Sequence, residues 1–198
     1  MLPRSTEKTI DANATTGIDE AGRGPLAGPV VSAAVTWPSG LDLHPLIKDS
    51  KKLSAKKREE AFKFIIDHAI DMSYFAAGAA YVDKVNIRQA TLQSMTQAYH
   101  LLLVRGDKIY VDGNDLPPAL SSLNAQAVIK GDSLHGAVSS ASIVAKVIRD
   151  RIMTYYHFVY PQYHFIAHKG YGTKAHYQAL ASIGPCPIHR RSFHLAHE

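Results

Sequence analysis

The chain has 198 residues, 46% of them hydrophobic and 20% charged, which supports a packed core and excludes a disordered or collagen-like chain. Lys and Arg number 22 against 17 Asp and Glu, so the +5 charge is compatible with a polyanionic partner without requiring one. One cysteine, Cys186, excludes an internal disulfide, and residues 1–16 lack an apolar signal core; with no apolar run near the roughly 20 residues of a membrane span, a soluble, cytoplasmic protein with no membrane partner is expected.

Residues 1–15 read as a flexible lead. Strands are predicted over 16–19 and 30–37, joined by a Gly-Pro-rich link short enough for a hairpin-like connection. A loop over 38–53 leads to Ser54, a good N-cap for a helix over 55–70 with the stripe Ala61, Phe62, Ile65, Ile66 and Ala69. A strand over 74–80 follows. The longest helical pattern covers 83–104, where Leu92, Met95, Tyr99 and Leu102 recur at three- and four-residue steps. A strand over 108–112 ends in the turn signal Asp112-Gly113-Asn114; residues 114–124 read as loop, and 125–130 as a strand stopped at Gly131. Helices are predicted over 139–160 and 173–183, before a tail holding His189-Arg190-Arg191-Ser192-Phe193-His194, whose mix of basic and aromatic residues suits a nucleic-acid surface and equally an anchor for the tail. There is no repeat and no internal boundary, so one domain over 1–198 is expected. Strands first and then helix–strand alternation argue for an α/β sheet with helices on its faces.

The stretch that carries chemistry is Gly17-Ile18-Asp19-Glu20-Ala21-Gly22-Arg23-Gly24-Pro25-Leu26-Ala27-Gly28-Pro29. Adjacent residues of an extended strand point to opposite faces. For Asp19 and Glu20 to serve one site the strand must end or bulge there, and the glycines permit that. At Gly22 and Gly24 no Cβ keeps a ligand from the backbone, while Arg23 offers a planar charged fork to phosphate or ribose oxygens. An acidic strand end followed by a tight turn is the plainer account of the acid pair alone; the pair together with Gly-Arg-Gly favours a site.

In open α/β sheets, sites form at the carboxyl ends of strands near a topological switch. Asp19 and Asp112 end strands, and emerge at one edge if those strands are parallel neighbours. Asp132, just past the strand ending near Lys130, and Glu20 are further candidates. Such carboxylates repel when close. Their obvious compensation is a hard divalent cation, and oxygen ligation suits Mg²⁺ or Mn²⁺ rather than zinc. Two such ions can activate a water and stabilise a leaving oxygen. Taken singly, Asp112-Gly113 reads as a turn and Lys130-Gly131-Asp132-Ser133 as a loop before a cap. Asp150 lies four residues after Lys146 on one helix, which favours a structural pair.

Six motifs occur in order: Asp19-Glu20-Ala21-Gly22-Arg23-Gly24, Asp49-Ser50-Lys51-Lys52-Leu53-Ser54, Asp112-Gly113-Asn114, Lys130-Gly131-Asp132-Ser133, the run from Ala141 to Asp150, and His168-Lys169-Gly170-Tyr171-Gly172-Thr173. Together they resemble bacterial ribonuclease HII, over about residues 17–194. The resemblance implies a ribonuclease H-like mixed sheet flanked by helices, with a helical C-terminal part over about 160–198. It implies metal-dependent hydrolysis of RNA in RNA–DNA hybrids and of single ribonucleotides in duplex DNA, leaving 3′-hydroxyl and 5′-phosphate ends. A monomer is expected. Asp19, Glu20, Asp112 and Asp132 would be the active-site acids, holding Mn²⁺ or Mg²⁺. Gly22, Arg23 and Gly24 would read the 2′-hydroxyl, the group by which proteins tell RNA from DNA. Tyr171 would stack on the following sugar, and Lys51, Lys52 and Lys169 would contact phosphates. Ser140 stands where alanine is more usual, and Gly172 where proline is common. The related ribonuclease HIII carries an extra N-terminal substrate-binding domain, for which the 18 residues before Asp19 leave no room.

Other readings make different demands. The 11 histidines show no compact zinc-ligand spacing, Cys186 between two prolines lacks a nucleophile's signature, and no Gly-Lys-Ser/Thr follows the glycines near Gly22 as in a nucleotide loop. A non-catalytic hybrid-binding module would bind without cutting and survive chelation. A DNA-directed resolvase of the same fold would cut without a 2′-hydroxyl.

Overall fold

The computed structural model describes residues 13–40, 45–48 and 53–196. Among these, five strands form one mixed sheet in the order β3-β2-β1-β4-β5: β1 (Thr15–Ala21), β2 (Val30–Trp37), β3 (Asp71–Ala77), β4 (Lys108–Asp112) and β5 (Ala125–Val128). β1 runs antiparallel to β2 and parallel to β4, and β4 runs parallel to β5. The short antiparallel link predicted between the first two strands is present. The strand order reverses between β1 and β4, parallel neighbours that need a crossover connection.

Both faces of the sheet are covered, which is why every residue of β2 is buried. One face packs on α2 (Ala55–His68) and α6 (Gly136–Val159): Ala33, Val35 and Trp37 meet Phe62, Ile65, Ala141 and Val144 there. The other packs on α4 (Ile87–Leu101), where Ile18, Ala34 and Val111 meet Met95, Ala98 and Leu102. A third cluster joins Leu26 and Ala27 to Met153, Tyr163, Phe165 and Leu180. It ties the C-terminal helices α7 (Phe165–His168) and α8 (Lys174–Ile183) to the turn after β1.

Gly17 makes the α6 contact close. A Cβ there would overlap the backbone of Ala137 and Val138, so helix and strand approach more nearly than any side chain would allow. A Gly17→Ala variant is expected to lose about 2–3 kcal/mol of stability through this overpacking. A wild-type urea midpoint for that variant would show that α6 can withdraw freely.

Ser54 caps α2 by accepting the Lys57 N–H, as its sequence position predicts. Ser140 accepts a hydrogen bond from Trp37 Nε1 at 2.9 Å, which gives a buried indole its partner.

Several element predictions need correction. The third strand is Asp71–Ala77 rather than 74–80, and the 38–53 loop holds the short helix α1 (Pro45–Lys48). The 83–104 pattern is broken into α3 (Ala79–Val85) and α4 at Asn86, which has φ 69° and accepts the Gln89 N–H at 3.0 Å. The positive φ of Asn86 turns the chain and its side chain caps the new helix, although the apolar period continues past it. The first strand runs on to Ala21 instead of ending at Asp19. The 114–124 loop holds a 3₁₀ turn at Pro118–Leu120.

Candidate active site

Parallel pairing of β1 with β4 matches Ile18 with Val111, so Asp19 and Asp112 leave the two strands one step further along, at the same edge. β1 continues through Glu20, so alternation holds. Gly17 and Asp19 face α6, where Asp19 accepts a hydrogen bond from Ser142, while Ile18 faces α4. The expected break in the strand is not what brings the acids together. The Glu20 N–H donates to Asp19 Oδ1 at 2.6 Å, and Asp112 lies close enough to act on both acids.

Negative charge is crowded at this edge. Burial pushes the Asp19 carboxyl well above its ordinary value, and the charges of Glu20 and Asp112 push it further the same way. Burial also raises Glu20; Arg23 opposes that rise, and Asp112 adds to it. Three carboxylates crowded in this way are strained as anions. Arg23 lies 3.6 Å from Glu20, a partial charge partner that the sequence reading did not foresee. Asp112 Oδ1 accepts the Gly131 N–H at 2.7 Å, tying α5 (Gly131–Leu134) to the end of β4. Asp132, in the first turn of α5, is buried beside that contact. Among the described residues no group of three or more His, Cys, Asp or Glu side chains is already arranged to hold a metal ion. The donors nevertheless suit one: they are oxygens only, and their mutual repulsion is what a hard cation would relieve.

Glu20 divides two clefts, each of about 270 Å³. One runs past Arg23, Arg88 and Met95 to Asp112 and Asp115, and Arg88 is held by Asp115 at 2.8 Å. The other runs past Gly22, Ser142 and Arg58 to Lys146 and Tyr171. Lys146 and Asp150 form the expected i,i+4 pair at 2.6 Å. Lys169, its Nζ donating to Thr154 Oγ1, lies in a neighbouring cleft that shares Arg58. It does not meet the acids. Lys51 and Lys52, with Asp49 and Ser50, lie outside the described residues.

The turn over 22–29 is shaped from within by two fully buried arginines. Arg190 donates through Nε to the Gly28 carbonyl, through Nη1 to that of Arg23 and through Nη2 to that of Gly22, at 2.6–3.0 Å. Arg149 donates to the carbonyls of Pro29 and Ala27. Since the peptide bonds of this turn are trans, turning the Gly22 and Arg23 carbonyls inward turns the N–H groups of Arg23 and Gly24 the opposite way. Arg23 and Gly24 are both exposed, so two backbone donors face out beside Glu20. Gly22 has φ 100°, and a Cβ there would strike Arg149. The half-exposed Tyr171 ring lies beside Gly24 and within 5.8 Å of the Arg149 guanidinium. The structure therefore gathers Asp19, Glu20, Asp112, Gly22, Arg23, Gly24 and Tyr171 along one edge. Sequence reasoning passed over Arg149 and Ser142 and left the role of Arg190 open.

Comparisons with known proteins bear on the family and the fold. The family model described as Ribonuclease HII matches residues 16–196. A ribonuclease HII of Syntrophus aciditrophicus is 49% identical over 177 residues, covering 89% of this chain and 82% of that protein. The crystal structure of ribonuclease H2 from Pyrococcus horikoshii OT3 superposes with a TM-score of 0.75 at 27% identity, covering 92% of this chain and 95% of that one. Bst-RNase HIII, solved in complex with Mn²⁺, shares the fold at 16% identity, with a TM-score of 0.61 over 88% of this chain and 64% of that one.

Proposed function

From the premise that the chain belongs to the ribonuclease HII family and is an endoribonuclease of the ribonuclease H type, we propose that it cuts the RNA strand of RNA–DNA hybrids and cuts 5′ of single ribonucleotides embedded in duplex DNA, leaving 3′-hydroxyl and 5′-phosphate ends. The carrying observation is the pairing of crowded carboxylates at the ends of β1 and β4 with outward backbone donors at Arg23 and Gly24. Asp19, Glu20, Asp112 and Asp132 would hold Mn²⁺ or Mg²⁺. What the bound ions supply is a lower pKa for the attacking water and neutralisation of charge on the leaving 3′ oxygen.

The chain's own groups do the rest. The N–H groups of Arg23 and Gly24 meet the 2′-hydroxyl, and the absence of side chains at Gly22 and Gly24 lets the backbone reach it. The Tyr171 ring offers a face to the next sugar. Arg23, Lys51, Lys52 and Lys169 position phosphates, so affinity falls with salt. Removal of misincorporated ribonucleotides and of RNA primers, by a monomer acting as one domain in the cytoplasm, is the role this chemistry serves. Among the described residues no helix is long and apolar enough to cross a membrane.

The test is a DNA duplex with one internal ribonucleotide beside an all-DNA duplex. With Mn²⁺ or Mg²⁺ a cut 5′ of the ribonucleotide is expected in the first alone, and none after chelation. Cutting of both duplexes would indicate a DNA nuclease, and binding without cutting a hybrid-binding module.

A further inference from the structure

Beneath Tyr171 lies a buried cluster that this chemistry does not use: His168, His176, His189 and Cys186, with the three imidazoles around Phe165. The tautomer of each histidine is set by its partners, because a carbonyl oxygen only accepts and a peptide N–H only donates. His176 Nδ1 is 2.9 Å from the Tyr171 carbonyl, so the proton is on Nδ1 and Nε2 is a lone pair. His189 Nε2 lies 2.9 Å from that lone pair and therefore carries its own proton. His189 Nδ1 is then an acceptor, and the Cys186 N–H meets it at 3.0 Å. Donation runs one way, from Cys186 through His189 and His176 to the Tyr171 carbonyl. His168 repeats the logic: its Nε2–H donates to the Tyr163 carbonyl at 2.8 Å and its Nδ1 receives the Gly170 N–H at 3.2 Å.

We propose that His176 and His189 are positioning residues for Tyr171, a relay of fixed tautomers that holds its carbonyl, and with it the ring, beside Gly24. The proposal rests on the reading above, in which that ring meets the sugar at the ribonucleotide junction. The same segment is tied to the turn, since the Leu26 N–H donates to the Gly170 carbonyl at 2.8 Å.

The relay works only with neutral rings, because a further proton on either bridging histidine would set N–H against N–H. The surroundings keep them neutral. Burial lowers His189 to about 4, helped by His176, His168 and Arg191, while the Cys186 carbonyl, 3.3 Å from Nδ1, opposes this. Burial also lowers His176, helped by His168, and lowers His168, helped by His164. Asp83, the nearby acid, bonds the N–H groups of Arg191 and Ser192 instead. Nor is the cluster a metal site: the Nε2 atoms of His176 and His189 are spent on each other.

The test measures KM and kcat on the single-ribonucleotide duplex for His176→Leu, His176→Asn, Tyr171→Ala and the double variant His176→Leu/Tyr171→Ala. His176→Leu should raise KM roughly five- to tenfold, the worth of one hydrogen bond, and change kcat less. His176→Asn keeps an N–H for the Tyr171 carbonyl and should recover most of that loss. The double variant should be no worse than Tyr171→Ala. Full additivity, or His176→Asn as impaired as His176→Leu, overturns the proposal. Should His176→Leu fail to fold, a near-wild-type KM for His176→Asn supports the relay and a raised one overturns it. Nitrogen-15 shifts of the imidazoles give a reading that needs no activity: protons on His176 Nδ1 and His189 Nε2 support the relay, and the opposite tautomers overturn it. Failure of the wild-type enzyme to cut the duplex would strike the substrate reading alone.

Discussion

An Asp112→Asn variant should bind an RNA–DNA hybrid nearly as well as the wild type and turn it over roughly a thousandfold more slowly, or not at all. The substitution is nearly isosteric. An asparagine carbonyl oxygen can still accept the Gly131 N–H that Asp112 Oδ1 accepts at 2.7 Å, so the link between β4 and α5 survives. What disappears is a negative charge from the edge proposed to hold the metal ions. The same charge raises the carboxyls of Asp19 and Glu20, so its loss eases repulsion within the fold. A carboxyl raised in the folded state is ionised more readily in the unfolded chain. Stability is therefore lost as pH rises from the ordinary carboxylate range through the raised value, and the variant should lose less over that window. An inactive protein at least as thermostable as the wild type is the expected result. Hybrid binding would be measured by anisotropy and cleavage by gel. Cleavage at even a tenth of the wild-type rate would remove Asp112 from the active site.

The parts of this molecule legible in its sequence are those where chemistry fixes residue type locally. Crowded acids at strand ends need a counter-charge, and a backbone that reaches a ligand needs glycine, so Asp19, Glu20, Asp112 and the Gly22–Gly24 turn could be read directly. The end of β1 was misplaced because the acid pair seemed to require a break, whereas Asp112 acts on both acids while the strand runs on. The helix break at Asn86 was hidden because the apolar period runs through it, and only the positive φ of one residue parts the helices. Arg149 and Arg190 were not legible at all. Arginine ordinarily reads as surface, and these two meet backbone carbonyls more than a hundred positions away, with no acid to advertise the pairing. The tail containing His189, Arg190 and Arg191 could have been a nucleic-acid surface or an anchor. Arg190 makes it an anchor, with Phe193 against its guanidinium at 5.0 Å.

That anchor carries the second large effect. Arg190→Met should lower unfolding free energy by about 2–4 kcal/mol and sharply reduce cleavage. Two effects oppose each other. Burial and the charge of Arg149 push Arg190 down to about 10, so it remains a cation at neutral pH, and removing it relieves a buried like-charge contact. Against this, the carbonyls of Gly22, Arg23 and Gly28 lose their donors, and each orphaned buried carbonyl costs about 1–3 kcal/mol. Three such losses exceed one relieved repulsion, so the net change is destabilising. Lysine offers no substitute, since a single ammonium cannot reproduce a planar fork that spans three carbonyls. Activity should suffer beyond stability, because the inward carbonyls are what turn the Arg23 and Gly24 N–H groups outward. Arg191→Met is the control: Arg191 is exposed and engages Asp83 through its backbone N–H, so its side chain should matter by less than about 0.5 kcal/mol. Urea denaturation and cleavage of the single-ribonucleotide duplex, run on both variants, decide the matter. Equal behaviour of the two would mean that the turn holds its shape without the buried guanidinium.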